Sequence, residues 1–220
     1  TVECNAALTA VDFIYVTPAD AVCEDKEFTV SDEGPYEVGT HEITVTGEAP
    51  PDGEAPTCTS TLVVKDTVAP TVKALTSELW PPNHKFHTIR TSDCVEVKDA
   101  CDTSVHVAFT FATSDEPANS TGDGNTEVDI KGLGCDSVEL LAERKGNGDA
   151  RVYTLGFRAT DAAGNATEGT CKVIVPHDQG NKEAVESDEV YRVDAPTECG
   201  APEPAPAPAP APAPSTPRPR

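Results

Sequence analysis

Apolar side chains recur along this chain in short alternating runs rather than at helical spacing. Within residues 1–68 the runs are Phe13-Ile14-Tyr15-Val16, Glu27-Phe28-Thr29-Val30, His41-Glu42-Ile43-Thr44-Val45-Thr46 and Thr59-Ser60-Thr61-Leu62-Val63-Val64. Turn-forming stretches such as Asp32-Glu33-Gly34-Pro35 and Ala49-Pro50-Pro51-Asp52-Gly53 separate them, which is the punctuation of short antiparallel strands. Further strands are predicted over 86–91, 105–112, 137–144, 151–160 and 170–175, and a last one over 189–193. No 3.6-residue period persists for three turns, so helices are not expected. A weak internal repeat sets Asp20-Ala21-Val22-Cys23 beside Asp99-Ala100-Cys101, and Thr57-Cys58 beside Thr170-Cys171, each of the latter followed by an apolar triplet. The expected architecture is all-β: two tandem immunoglobulin-like β-sandwiches over 1–68 and 69–178. They meet near Asp66-Thr67-Val68-Ala69-Pro70, where Pro70 favours an extended, stiff junction. An acidic connecting segment is expected over 179–200. From 201 to 220 alternating Ala and Pro predict a polyproline II stalk or linker.

Composition narrows what such a chain does. Its 220 residues carry 38 acids against 16 bases, a formal charge of −22. That balance repels phosphate backbones, so nucleic acid is not an expected partner. The apolar runs are strand-sized, well short of the roughly 20 residues that span a bilayer as a helix. Eight cysteines accompany few aromatic residues, a balance in which cross-links supplement modest cores. The expected location is therefore secreted or cell-surface. A start at Thr1 without any Met leads to the expectation that a leader was removed or that the chain belongs to a longer protein.

Specific residues sharpen the picture. Val2-Glu3-Cys4, Asp20-Ala21-Val22-Cys23, Val38-Gly39-Thr40-His41-Glu42-Ile43-Thr44-Val45-Thr46, Thr57-Cys58 and Val64-Lys65-Asp66-Thr67-Val68-Ala69-Pro70 together resemble the HYR (hyalin repeat) domain. The resemblance covers residues 1–70, with the usual Ala-Thr-Asp-x-x-Gly-Asn turn replaced by Thr46-Gly47-Glu48-Ala49-Pro50-Pro51-Asp52. The second segment keeps that turn as Ala159-Thr160-Asp161-Ala162-Ala163-Gly164-Asn165. Along with Leu79-Trp80-Pro81-Pro82-Asn83-His84-Lys85 and Thr113-Ser114-Asp115-Glu116-Pro117, it is similar to the immunoglobulin-like modules of bacterial surface proteins. The resemblance implies tandem extracellular sandwiches associated with adhesion, and no catalytic residues.

Several residue sets are candidates for chemistry. Cys4, Cys23, Cys58, Cys94, Cys101, Cys135, Cys171 and Cys199 are expected to be mostly oxidised; a Cys4 to Cys58 bridge would staple the first strand to the last, leaving Cys23 and Cys199 to pair or exchange. Zinc lacks any C-x-x-C or H-x(3–5)-H spacing. Asp115, Glu116, Asp123, Asn125 and Asp129 offer oxygens for calcium in a Gly-rich stretch, although Asp and Asn also populate such turns for backbone reasons alone. A second calcium set, at the junction, combines Asp66, Asp161 and Asp178. Trp80 is a candidate for stacking on a glycan ring, against the commoner role of a lone Trp in a core or domain junction. His84 and His87, three apart, are predicted to point to opposite faces of a strand. No nucleophile elbow or phosphate-binding loop is present. The sequence therefore predicts a non-enzymatic spacer, adhesion unit or assembly block whose partners are other surface proteins, copies of itself or glycans, with a calcium-dependent or glycan-binding recognition module as the alternative.

Overall fold

A computed structural model describes residues 1–4, 28–119, 126–146, 150–178, 188 and 190–200. Among these residues the chain is almost wholly β, as the alternating pattern predicts, in four sheets. The predicted strand at 13–16 and the Ala-Pro tract lie outside the described residues.

The first unit is a sheet of four strands: β1 (Val2–Glu3), β2 (Phe28–Val30), β3 (Gly39–Gly47) and β4 (Thr57–Lys65). Their order is β1-β4-β3-β2, with β1 parallel to β4 and the other pairs antiparallel. Along β3 the alternation places Ile43 and Val45 inward. Ile43 joins Tyr36, Leu62 and Val64 in a small core, with Val2, Cys4 and Val30 packed against it. Because Glu3 pairs with Lys65, the first strand runs beside the last and both finish at the same end of the sheet.

The second unit is a larger sandwich. One layer is a five-stranded sheet formed by β6 (Thr76–Glu78), β9 (His106–Ser114), β12 (Ala150–Thr160), β13 (Ala166–Pro176) and β14 (Tyr191–Asp194), in the order β14-β9-β12-β13-β6. Against it lie the sheet β10-β11-β7, from Ile130–Lys131, Ser137–Leu141 and Phe86–Arg90, and the antiparallel pair β5 (Thr71–Ala74) and β8 (Val95–Lys98). One core spans the layers: Phe109, Leu155, Phe157 and Val173 from the large sheet meet Ile89, Val138 and Leu140 from the small one. Cys94, in the one-turn helix α1 (Thr91–Cys94), is bonded to Cys171 of β13 within that core. The register of β12 against β9 shifts between Gly156 and Phe157, a β-bulge. A Cβ at Gly156 would collide with the Phe111 ring and Thr110 Oγ1, so only glycine lets that ring lie flat on the strand.

Three sequence expectations change. Strand β11 stops at Leu141 rather than continuing to 144: Ala142 N still donates to Lys85 O at 2.9 Å, but Glu143 N turns back to Leu141 O at 2.9 Å and Lys145 N donates to Glu116 Oε2 at 2.7 Å. The segment 179–200, expected as an acidic connector with one strand over 189–193, belongs in part to the second unit: β14 pairs with β9, capping that edge, and Cys199 is bonded to Cys135. Cys199 is thus not available to Cys23, which lies outside the described residues. Finally, Cys4 is bonded to Cys101, not Cys58. The parallel pairing of Glu3 with Lys65 carries Cys4 past the far end of β4, whereas Cys58 sits at its start. At about 3.3 Å per residue the two cysteines are more than 20 Å apart. Cys58 is exposed and is the one free cysteine among the described residues.

The Cys135–Cys199 bridge encloses a separation of 64 residues. In the chain-entropy model its loss costs about 4 kcal/mol, so the Cys135→Ser/Cys199→Ser variant is expected to unfold at clearly lower urea concentration and to exchange the β14 amides early. Retention of wild-type amide protection in β14 would show that strand pairing alone holds it.

Candidate functional site

Strand β12, eleven residues long, separates two clusters of acidic side chains by more than 30 Å at the usual strand rise. At its start Arg151 is fully buried. A chain so rich in carboxylates converges several of them on this one guanidinium. Nε donates to Glu116 Oε2 at 3.2 Å, Nη1 to Asp129 Oδ2 and to Tyr153 Oη, and Nη2 to Pro117 O at 3.2 Å. Tyr153 passes its own proton donor to Leu141 O at 2.9 Å. Asp115 completes the arrangement from the backbone side, accepting from Val152 N at 2.8 Å. Burial by itself lowers the basicity of Arg151, but Tyr153, Asp129 and Glu116 outweigh it and hold the guanidinium charged. Burial also pushes the Tyr153 phenol well above its ordinary value.

Asp115, Glu116 and Asp129, three of the five residues expected to ligate calcium, are therefore gathered in space, and the positive charge they surround is Arg151. Asp123 and Asn125 lie outside the described residues. What the sequence did not disclose is that a strand residue some twenty positions downstream points its guanidinium into this loop. An arginine opening an apolar strand, at Ala150-Arg151-Val152-Tyr153, is the signal that could have revealed it.

The other cluster lies where the two units meet. Asp66 follows β4 directly, and Asp161 follows β12. Asp161 is fixed by a tight turn in which Asn165 N and Nδ2 donate to its two carboxylate oxygens at 2.7 and 2.8 Å. Gly164 closes that turn at φ 93°, a left-handed conformation that glycine adopts without strain. Asn165 Nδ2 also reaches Asp66 O at 3.3 Å, so its amide is committed to the turn and the neighbouring unit. From a third element, the loop after β8, come Asp99 and Asp102. Asp99 Oδ1 accepts from Cys101 N and Asp102 N at 2.8 and 2.9 Å, while Asp102 Oδ2 accepts from Ala162 N at 2.7 Å. One carboxylate oxygen from each of Asp66, Asp99 and Asp161 lies within 4.8 Å of the others. Asp66 is 7% exposed, and its Oδ2 has no hydrogen-bond partner among the described residues.

The disulfide Cys4–Cys101 crosses the same junction. Glu3, next to Cys4, accepts from Thr67 N and Oγ1 at 2.8 and 2.6 Å, and those bonds hold its carboxyl below the usual range. Thr167 Oγ1 donates to Pro70 O at 2.6 Å. A cleft of about 460 Å³ opens beside the bridge, between Tyr36 and Glu37 of the first unit and Ala100 to Thr103 of the second. Of the junction residues predicted from sequence, Asp66 and Asp161 come together but Asp178 does not. It lies beyond Pro176, at the other end of the eleven-residue β13. Asp99 takes its place; the Asp99-Ala100-Cys101 repeat was visible in the sequence, but not which end of the sandwich it would occupy.

Trp80 is 41% exposed, while the preceding Leu79 is in the core. Its loop is pinned from behind: His84 N donates to Ala142 O at 3.0 Å, and His84 Nδ1 lies 2.9 Å from the buried Glu143 Oε2, which also accepts from Thr126 Oγ1. His84 and His87 do not share a ligand position among the described contacts: the His84 ring faces Glu143, whereas His87 sits in β7 with a buried Nε2.

No family model and no curated protein matches the chain. A solved structure of fibronectin(III)-like modules of Clostridium thermocellum CbhA aligns over 73% of this chain and 82% of that one, at 19% identity and a TM-score of 0.25. That level of likeness supports no transfer of fold or function.

The buried ion cluster has a measurable consequence. Arg151→Met removes the buried guanidinium that Asp129 and Glu116 share, a change that costs about 3–5 kcal/mol. Urea denaturation at neutral pH is expected to show it, with partial recovery in Arg151→Met/Asp129→Asn. A loss below about 1 kcal/mol would mean that the carboxylates find another partner.

Proposed function

We propose that the chain is a non-enzymatic structural or adhesion module of a secreted or surface-exposed protein, whose two β-units are held as a stiff pair. The observation that carries this reading is the Cys4–Cys101 bridge across the junction. A side-chain to backbone bond from Asn165 to Asp66 supports it. Three disulfides among the described residues suit an oxidising, extracytoplasmic compartment. None of the helices among the described residues is long and apolar enough to cross a membrane. The buried side chains Arg151, Asp129 and Glu143 are engaged in holding loops together.

Small-angle scattering tests the stiffness. The native chain is expected to fit a single interunit arrangement, and Cys4→Ser/Cys101→Ser to show a broadened distance distribution with the secondary structure intact. Identical profiles for the two would remove the brace and, with it, the basis for a rigid spacer.

A second reading, glycan recognition, is favoured by one feature, the half-exposed Trp80 ring on a loop anchored from behind. Trp80→Ala is expected to leave the melting temperature within about 2 °C, as for a surface position, while abolishing any signal on a glycan array. Array binding that survives the substitution would exclude Trp80 as the stacking platform.

A further inference from the structure

We infer that the junction of the two units is a calcium site, with Asp66, Asp99 and Asp161 as its protein ligands. Oxygens bound to one calcium at roughly 2.3–2.6 Å stand at most about 5 Å apart. One oxygen from each of these residues falls within 4.8 Å of the other two, a spacing compatible with a single ion held among them. The carboxylates come from three separate elements: the end of β4, the loop after β8 and the turn after β12. Such convergence of like charge is unfavourable unless something neutralises it.

Two observations distinguish this cluster from a group of acidic turn-formers. The first is Asp66 itself. The residue is 7% exposed, with Oδ1 accepting from Val68 N at 3.1 Å and Oδ2 buried without a donor among the described residues. A buried carboxylate oxygen lacking a donor is costly, and a cation satisfies it directly. The acidic neighbours brought to Asp66 include Asp99, Asp161 and Glu3, whereas the distal cluster contains Arg151. The second is that Asp99 and Asp161 are already oriented from behind. Cys101 N and Asp102 N hold Asp99, and Asn165 holds Asp161. Glu3 borders the cluster but is taken up by Thr67. Three carboxylates leave room for water in the remaining positions of a six- to eight-coordinate ion.

Because the ligands come from both units, calcium would act with the Cys4–Cys101 bridge to fix their relative orientation. The site does not depend on adhesion, and its failure would leave the disulfide brace untouched.

The test is calcium titration of the full, oxidised chain after chelation, read by thermal melting and by calorimetry. At a hundred-fold excess over Kd, calcium chloride is expected to raise Tm by roughly 5–10 °C, reversibly with chelator. Asp66→Asn and Asp99→Asn keep the oxygen that accepts the local backbone N–H, so both variants should fold. Without calcium Asp66→Asn should melt at or above the wild-type temperature, since it removes a buried charge; with calcium, each variant should bind at least tenfold more weakly and lose most of the rise. No calorimetric binding and no shift in the wild type would overturn the proposal. An undiminished response in both variants would overturn it equally, by placing the ion elsewhere.

Discussion

The fully buried guanidinium of Arg151 is the contact on which the second unit most depends. A chain with a formal charge of −22 cannot keep all its acids in water and still close its loops over a core. By drawing in Glu116, Asp129, Tyr153 and the Pro117 carbonyl, one side chain fixes the start of β12 against the segments on either side of it. Removing Arg151 strips the buried carboxylates of this counter-charge, which is why such a network is coupled far more strongly than exposed pairs such as Lys73 with Glu96. With that end fixed, the unbroken pairing of β12 with β13 carries the register along eleven residues to Asp161 at the junction.

The two ends of β12 thus face the same electrostatic problem with different means. At the distal end the counter-charge is covalently part of the fold. At the junction the aspartates are met by backbone N–H groups and by Asn165, which orient the carboxylates but carry no full charge. Hydrogen bonds of this kind lower the cost of each carboxylate singly, yet they leave the mutual repulsion of Asp66, Asp99 and Asp161 in place. The difference explains why one acidic cluster is self-sufficient and the other is suited to a soluble cation.

Much of the architecture was legible in sequence because strand alternation is local. Runs such as His41 to Thr46 declare which face is buried without reference to any partner strand, and β3 and β4 appear close to where the pattern places them. Short edge elements such as β5, β6 and β10 carry too few residues for a period to register. The cysteine pairing was not legible, since it depends on which strand ends share a corner of the fold. The parallel placement of β1 beside β4, which sends Cys4 to the junction, has no sequence mark. The same limit applied to the sites. Asp66 and Asp161 could be assigned to strand ends, but choosing between Asp99 and Asp178 requires knowing the direction of β13.

The junction itself is constrained by the number and placement of its links. The covalent chain through Asp66 to Pro70 is one connection, and a single connection leaves the units free to swing and twist. The Cys4–Cys101 bridge adds a second, at the neighbouring strand end, so that only rotation about the line joining the two remains. The Asn165 amide on Asp66 O opposes that rotation, but it is a single hydrogen bond worth about 1 kcal/mol net. An ion held jointly by Asp66 on one side and by Asp99 and Asp161 on the other would resist the same rotation with several bonds at once. A cation bound there would act where the covalent links leave the last degree of freedom.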